Sequence, residues 1–250
     1  MRPPREPRPT VGLLASVMTP EEAAAAVTGG ADIIDLKDPR RGALGALPAA
    51  TIGACIARVG GRRPVSATVG DLPMEPASVG AAVAHMAALG LDFVKLGIFP
   101  GGDPEACLAA LAQQARRGVR LVAVLFADQG PDFALIPRLR ECGFAGVMLD
   151  TADKTAGGLR DQLAPERLAA FVETAHEAGL IAGLAGALRR GDIAALLPLA
   201  PDYLGFRGAL TLAGRSSGLD PAALAAVRRA IPMHEAAPPA WRQAAMTGTD

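Results

Sequence analysis

The stretch GLDFVKLGIFPGGDPEACLAALAQQARRGVRLVAVLF, residues 90–126, decides the fold. It opens on a short, β-rich apolar run at 93–97 and closes on another at 121–126. Between them Asp103-Pro104-Glu105 places a capping residue just before a proline at the first helical position. Gly118 then ends the amphipathic segment a few residues ahead of the second run. Both runs are apolar on both faces, as strands of a buried parallel sheet are.

The same unit repeats outward in both directions. Further β-rich runs fall at 11–17, 31–37, 65–69, 146–149, 180–184 and 203–206, with Ala/Leu-rich amphipathic stretches between them. Thr19-Pro20-Glu21-Glu22 and Asp220-Pro221 repeat the helix-start signal, and Gly90, Gly143 and Gly179 repeat the stop. Eight strands alternating with helices over 250 residues, with no second block of composition, predict one α/β domain, a single (β/α)₈ TIM barrel spanning 11–231. An open doubly wound sheet is the rival. It lacks its glycine-rich dinucleotide fingerprint, because Ser16-Val17-Met18-Thr19 stands after the first strand.

Composition narrows the class. Half of the chain is hydrophobic but only 4% is aromatic, so small aliphatic residues must fill the core. No apolar run reaches the roughly 18 residues of a membrane helix. The Arg/Pro-rich segment 1–10 has no apolar stretch of the signal-peptide kind and reads as a disordered arm on a cytoplasmic protein. A formal net charge of zero gives no electrostatic reason for a nucleic-acid or membrane partner. Cys55, Cys107 and Cys142 are far apart, each in a helical stretch, with neither disulfide nor metal-ligand spacing. His85 and His176 fall within helices and His234 in the tail, so no catalytic histidine is assigned. The tail 232–250, with Pro238-Pro239 and a lone Trp241, has no matching strand and is expected to pack on the barrel or on a neighbouring subunit. Apolar helix faces point to a homo-oligomer.

The basic residues carry the chemistry. The chain has 22 arginines and only three lysines, so arginine fills the solvated basic positions, and each lysine needs its own reason. A guanidinium is always charged and forms no imine, whereas an amine can lose its proton, attack a carbonyl or shuttle a proton. Lys37 follows Ile33-Ile34-Asp35-Leu36, Lys95 lies in the run 93–97, and Lys154 follows Met148-Leu149-Asp150. All three therefore stand at strand ends, where barrels keep their catalytic groups. Structural ion pairing explains one such lysine comfortably and three poorly. Asp35 and Lys37, two apart, point to the same side, the lumen. Asp150 lies four residues before Lys154, close enough for that lysine to fold back over the mouth. Clustered cations and burial lower an amine's pKa while carboxylates oppose them, so no single direction is predicted.

Phosphate is expected at the last two strands. The seventh strand runs into Gly183-Leu184-Ala185-Gly186 and the eighth into Gly205-Phe206-Arg207-Gly208, with Arg207 or Arg215 offering a charged fork. Tight turns at a barrel rim would also favour these glycines. The loop after Lys37 pairs Arg40 and Arg41 with glycines, and a second phosphate site, a lid and a plain solvated loop all fit it. Ser66, Thr68 and Asp71 flank the third strand's end and are expected to line the substrate pocket, and Asp128 occupies the like place after the fifth.

Together these motifs resemble a known family. Asp-Leu-Lys-Asp-Pro with Gly-Ala-Leu-Gly-Ala at 35–46, Ser-Ala-Thr-Val-Gly-Asp at 66–71 and Val-Lys-Leu-Gly at 94–97 recur in it. So do Met-Leu-Asp-Thr with Lys at 148–154, Gly-Leu-Ala-Gly at 183–186 and Gly-Phe-Arg-Gly-Ala at 205–209. The chain is similar, over roughly 11–231, to the (5-formylfuran-3-yl)methyl phosphate synthases. The resemblance implies a lyase that condenses two glyceraldehyde 3-phosphate molecules into a furan aldehyde phosphate, losing phosphate and water, for methanofuran-type cofactor biosynthesis. It implies Lys37 as the Schiff-base lysine and Lys95 as the proton-transferring one, with Asp35, Asp150 and Lys154 beside them. No metal or organic cofactor is expected. A class I aldolase or another triose-phosphate barrel is the alternative, and a non-catalytic sugar-phosphate-binding protein a further one.

Overall fold

The computed structural model describes residues 11–232. The expected arm at 1–10 and the tail from 233, with His234 and Trp241, lie outside the described residues.

Eight parallel strands close into one barrel in chain order. They are β1 (Gly12–Val17), β2 (Ile33–Leu36), β3 (Val65–Thr68), β4 (Phe93–Gly97), β5 (Leu121–Phe126), β6 (Gly146–Asp150), β7 (Ile181–Leu184) and β8 (Tyr203–Phe206). Around them run α1 (Pro20–Thr28), α2 (Ala49–Val59), α3 (Pro76–Ala87), α4 (Pro104–Arg116) and α5 (Leu135–Glu141). The ring is completed by α6 (Leu159–Gln162), α7 (Pro165–Glu177), α8 (Ile193–Leu196) and α9 (Pro221–Ala230). This is the (β/α)₈ barrel the alternation predicts.

Two helices depart from a plain eight-fold ring. The turn α6 is an addition inside the connection from β6 to α7. After β7 a single turn, α8, is flanked by 3₁₀ turns at Arg190–Asp192 and Leu197–Leu199. Pro198 has no N–H to give there, and the chain tightens in place of extending the helix.

The start signals do the work their chemistry suggests. Thr19 accepts from the Glu22 N–H (3.2 Å), Asp103 from Ala106 (2.9 Å) and Asp220 from Ala223 (2.8 Å), each cap being worth about 1 kcal/mol. At the other end Gly118 turns with φ +89°, a conformation a side chain would strain.

Residues alternate across each strand, and this places the site. On β1, Leu13, Ala15 and Val17 pack outward against the helices, while Leu14 joins Ile33, Phe93, Val122, Ile181 and Tyr203 inside the barrel. Two residues above Leu14 the inward face becomes polar. Ser16, Asp35 and Ser66 stand abreast in register on β1, β2 and β3, so a polar layer rests on an apolar floor.

Candidate active site

A cavity of about 590 Å³ opens at the carboxyl ends of the strands, and Lys37, Lys95, Lys154, Asp35, Asp150 and Ser16 all line it. Lys95 lies deepest. It comes from the middle of β4, is 2% exposed, and its Nζ donates to Asp35 Oδ1 at 2.9 Å. Asp35 is held from both sides, by Ser66 Oγ on Oδ1 (2.7 Å) and by Ser16 Oγ on Oδ2 (3.0 Å). The register of the three strands fixes this clamp before any ligand arrives.

The second carboxylate, Asp150, closes β6 between the other two lysines. Its Oδ2 faces Lys37 Nζ at 3.5 Å, and its Oδ1 accepts from Lys154 Nζ and from the Thr151 N–H. Lys154 also donates to the Thr151 carbonyl and to its hydroxyl (3.2 Å). It folds back over the mouth because Asp128, after β5, accepts from the Ala152 and Asp153 N–H groups and bends the chain there.

Burial dominates the electrostatics. It pushes the Lys95 amine below the ordinary lysine value, against the pull of Asp35, and the nearby Lys37 charge lowers it further. Lys154 is lowered for the same reasons, with Asp150 opposing. Burial also works to raise both carboxyls. For Asp150 the Lys154 and Lys37 cations outweigh it, and for Asp35 the Lys95 and Lys37 cations do, so both lie below the usual carboxylate range. Near neutrality the site holds two fixed anions beside Lys95 and Lys154, which give up a proton more easily than free lysine.

Several expected site residues have other duties. All five N–H groups of Arg207 are engaged within the protein: Nη1 and Nη2 with Glu22, and the rest with the carbonyls of Ser16, Arg215 and Ser217. That guanidinium braces the β8–β1 seam and has none left for a phosphate. Arg40 is exposed and folds onto Asp38, and Arg41 reaches the Ala46 carbonyl, and neither lines the cavity. Asp71 and Thr68 tie down the same loop, through the Ala43 and Leu44 N–H groups and the Gly45 carbonyl. At Gly42 (φ +119°) a Cβ would overlap the Asp71 carboxylate, so the glycine there serves this tether. Gly183 lies under the Tyr203 ring, which any Cβ would strike, and does not face the cavity. Gly186, Gly205 and Gly208 do line it, and so do Arg189, Arg190 and Arg215. Ser16 was readable in the sequence as a polar residue on the inward face of an apolar strand, whereas Glu22 gave no such signal. Among the described residues no group of three His, Cys, Asp or Glu is placed to hold a metal ion, and no helix is long and apolar enough to cross a membrane.

A closed parallel barrel with buried amines clamped to aspartates at the carboxyl ends of its strands, where barrel enzymes keep their active sites, defines the class as a (β/α)₈-barrel enzyme. The chain belongs to the 4-HFC-P synthase family, whose pattern it matches over residues 13–228. A Methylorubrum extorquens relative is 47% identical over 214 residues, covering 85% of this chain and 88% of its own. The (5-formylfuran-3-yl)methyl phosphate synthase of Methanopyrus kandleri is 39% identical, covering 79% and 88%, and that of Methanocaldococcus jannaschii 36%, covering 82% and 93%. Among solved structures, phosphoribosyl anthranilate isomerase from Thermus thermophilus superposes with a TM-score of 0.62 at 16% identity over 88% of this chain and 98% of its own. A 3-hexulose-6-phosphate synthase gives 0.62 at 18% over 89% and 100%. These structural likenesses speak to the barrel alone.

Proposed function

We propose that this enzyme joins two molecules of glyceraldehyde 3-phosphate into (5-formylfuran-3-yl)methyl phosphate, with loss of phosphate and water, through an imine on Lys37. The observation that carries the reading is the arrangement of the three lysines: Lys95 points in from the middle of β4 and Lys37 and Lys154 follow the ends of β2 and β6, all three line one cavity, and two aspartates hold them. The names of the curated relatives support the product, (5-formylfuran-3-yl)methyl phosphate.

The geometry distributes the roles. Lys95 is locked on Asp35, and Lys154 is held by three acceptors. Lys37 has a single long contact at 3.5 Å and faces the cavity, which leaves it the amine best placed to attack a carbonyl. Once the imine forms, the adjacent C–H is acidified. Lys95, lowered by burial, takes that proton and returns it to oxygen as one triose is brought to the ketone level and added to the other. Lys154 with Asp150 assists the dehydrations that close the ring. The backbone at Gly186, Gly205 and Gly208 and the arginines of the β7 loop receive substrate phosphate. The product serves methanofuran-type cofactor synthesis in the cytoplasm, and the enzyme works as a homo-oligomer.

Product analysis tests the reading. Glyceraldehyde 3-phosphate alone should give a growing furan absorbance and free phosphate. A hexose or ketose phosphate in its place marks a simple aldolase, and binding without turnover marks a non-catalytic sugar-phosphate protein.

A further inference from the structure

We propose that Arg215 grips the phosphate that leaves during furan formation. The inference rests on the reaction just described and adds a residue and a step to it. Arg215 is half-buried and lines the cavity from the loop after β8. Its Nη2 donates to the Pro39 carbonyl at 2.6 Å, which sets the guanidinium beside the chain two residues beyond Lys37. Its other N–H groups meet no acceptor, and it joins no ion pair, among the described residues. Its charge also helps lower Lys154, which places it near that amine. An arginine turned toward a cavity with most of its donors unused is a fork ready for a dianion.

The loop holds it in that position. Arg207 donates to the Arg215 carbonyl (2.8 Å) and the Ser217 carbonyl (2.6 Å), and Thr211 Oγ1 donates to the Gly214 carbonyl (2.9 Å). The buried Arg207–Glu22 pair thus anchors the segment that carries Arg215. Arg207 is the brace, and Arg215 is the hand.

Position selects which phosphate it meets. In an imine that Lys37 forms with the aldehyde carbon of the glyceraldehyde 3-phosphate that is not brought to the ketone level, the carbon next to the imine carbon loses its proton, and the phosphate on the following carbon is then set to leave. The proton passes to an amine, a C=C bond forms, the C–O bond breaks, and its electron pair departs with phosphate, with no change of oxidation state overall. That phosphate lies within a few bonds of Lys37 Nζ, the side of the cavity where Arg215 stands. Arg189 and Arg190, exposed on the β7 loop, remain for the phosphate that is kept. Charge grows on the departing oxygen as the bond breaks, and a preset guanidinium stabilises it most at that moment.

The test compares wild type with Arg215→Ala and Arg215→Lys, reading phosphate release and the adduct trapped on Lys37 by borohydride from glyceraldehyde 3-phosphate. We expect Arg215→Ala to release phosphate roughly 10²–10³-fold more slowly, while a trapped Lys37 adduct that still carries its phosphate accumulates. Arg215→Lys should recover part of the rate, and added guanidinium ion should partly rescue Arg215→Ala. Release within about threefold of wild type overturns the proposal. So does loss of the adduct together with release, which would assign Arg215 to substrate capture or loop folding. If wild type makes no furan, the reaction itself is wrong and the proposal falls with it; that result is distinct from both of the others.

Discussion

Apart from Arg207, which is spent on Glu22, the cavity has two sets of cations that differ in origin, burial and pairing. The lysines come from the strands or the residues just after them, are largely buried, and each touches an aspartate. Arg189, Arg190 and Arg215 come from the β7 and β8 loops, are half-buried or exposed, and pair with no carboxylate among the described residues. Burial lowers the affinity of Lys95 and Lys154 for their protons, which suits bond making and proton transfer. A solvated guanidinium keeps its charge at every working pH, which suits holding phosphate. On the proposed reading, one set reacts and the other holds.

The largest effect expected from breaking this division is at Lys37. Lys37→Arg keeps the charge beside Asp150 but removes the imine, and turnover should fall by roughly 10⁴-fold or more. Retained turnover measured by furan absorbance would contradict an imine at this position.

Asp35→Asn sharpens the division from the other side. Asp35 favours the charged form of Lys95, so its removal lowers the amine's pKa further. The limb of the pH–rate profile that follows Lys95 deprotonation should move to lower pH, with a rate loss of about 10²–10⁴-fold at the optimum. A limb that moves upward, or does not move, would separate Asp35 from Lys95. Asp150 also links pH to folding. Its folded pKa lies below its ordinary value, so the stability it contributes is present above about 4 and is lost as pH falls toward the folded value. Acid unfolding followed by circular dichroism should show that loss for the wild type and a weaker one for Asp150→Asn.

Two arginine contacts, one buried and one exposed, set the lower end of the scale for catalysis. Glu22→Gln leaves the Arg207 guanidinium buried without its anion, and stability should drop by about 3–5 kcal/mol in denaturant titration. Arg40→Ala removes an exposed pair with Asp38 and should change stability by no more than about 0.5 kcal/mol, with under twofold change in turnover. A large loss of turnover there would return Arg40 to the phosphate site.

What the sequence reveals and what it conceals follow from the range of the forces involved. The barrel is legible because each strand, cap and glycine stop is a local signal, and eight repeats of one unit admit few topologies. The clustering of the lysines is legible for a compositional reason, since an arginine-rich chain with only three lysines singles them out, and all three line one cavity. Arg207 is misread from sequence as a phosphate ligand because its partner Glu22 lies 185 residues away, and only the closure of β8 onto β1 brings them together. Gly183 looks like a phosphate-loop glycine, yet the Tyr203 ring across the barrel is what demands it. Ser16 is visible but easily passed over, because its meaning depends on the register that sets it beside Asp35.

The separation of reacting amines from holding guanidiniums turns on where the carbon–nitrogen bond forms. Borohydride reduction in the presence of glyceraldehyde 3-phosphate, followed by peptide mapping, should place a single stable adduct on Lys37. An adduct on Lys95 or Lys154, or full turnover with no lysine trapped, would contradict it.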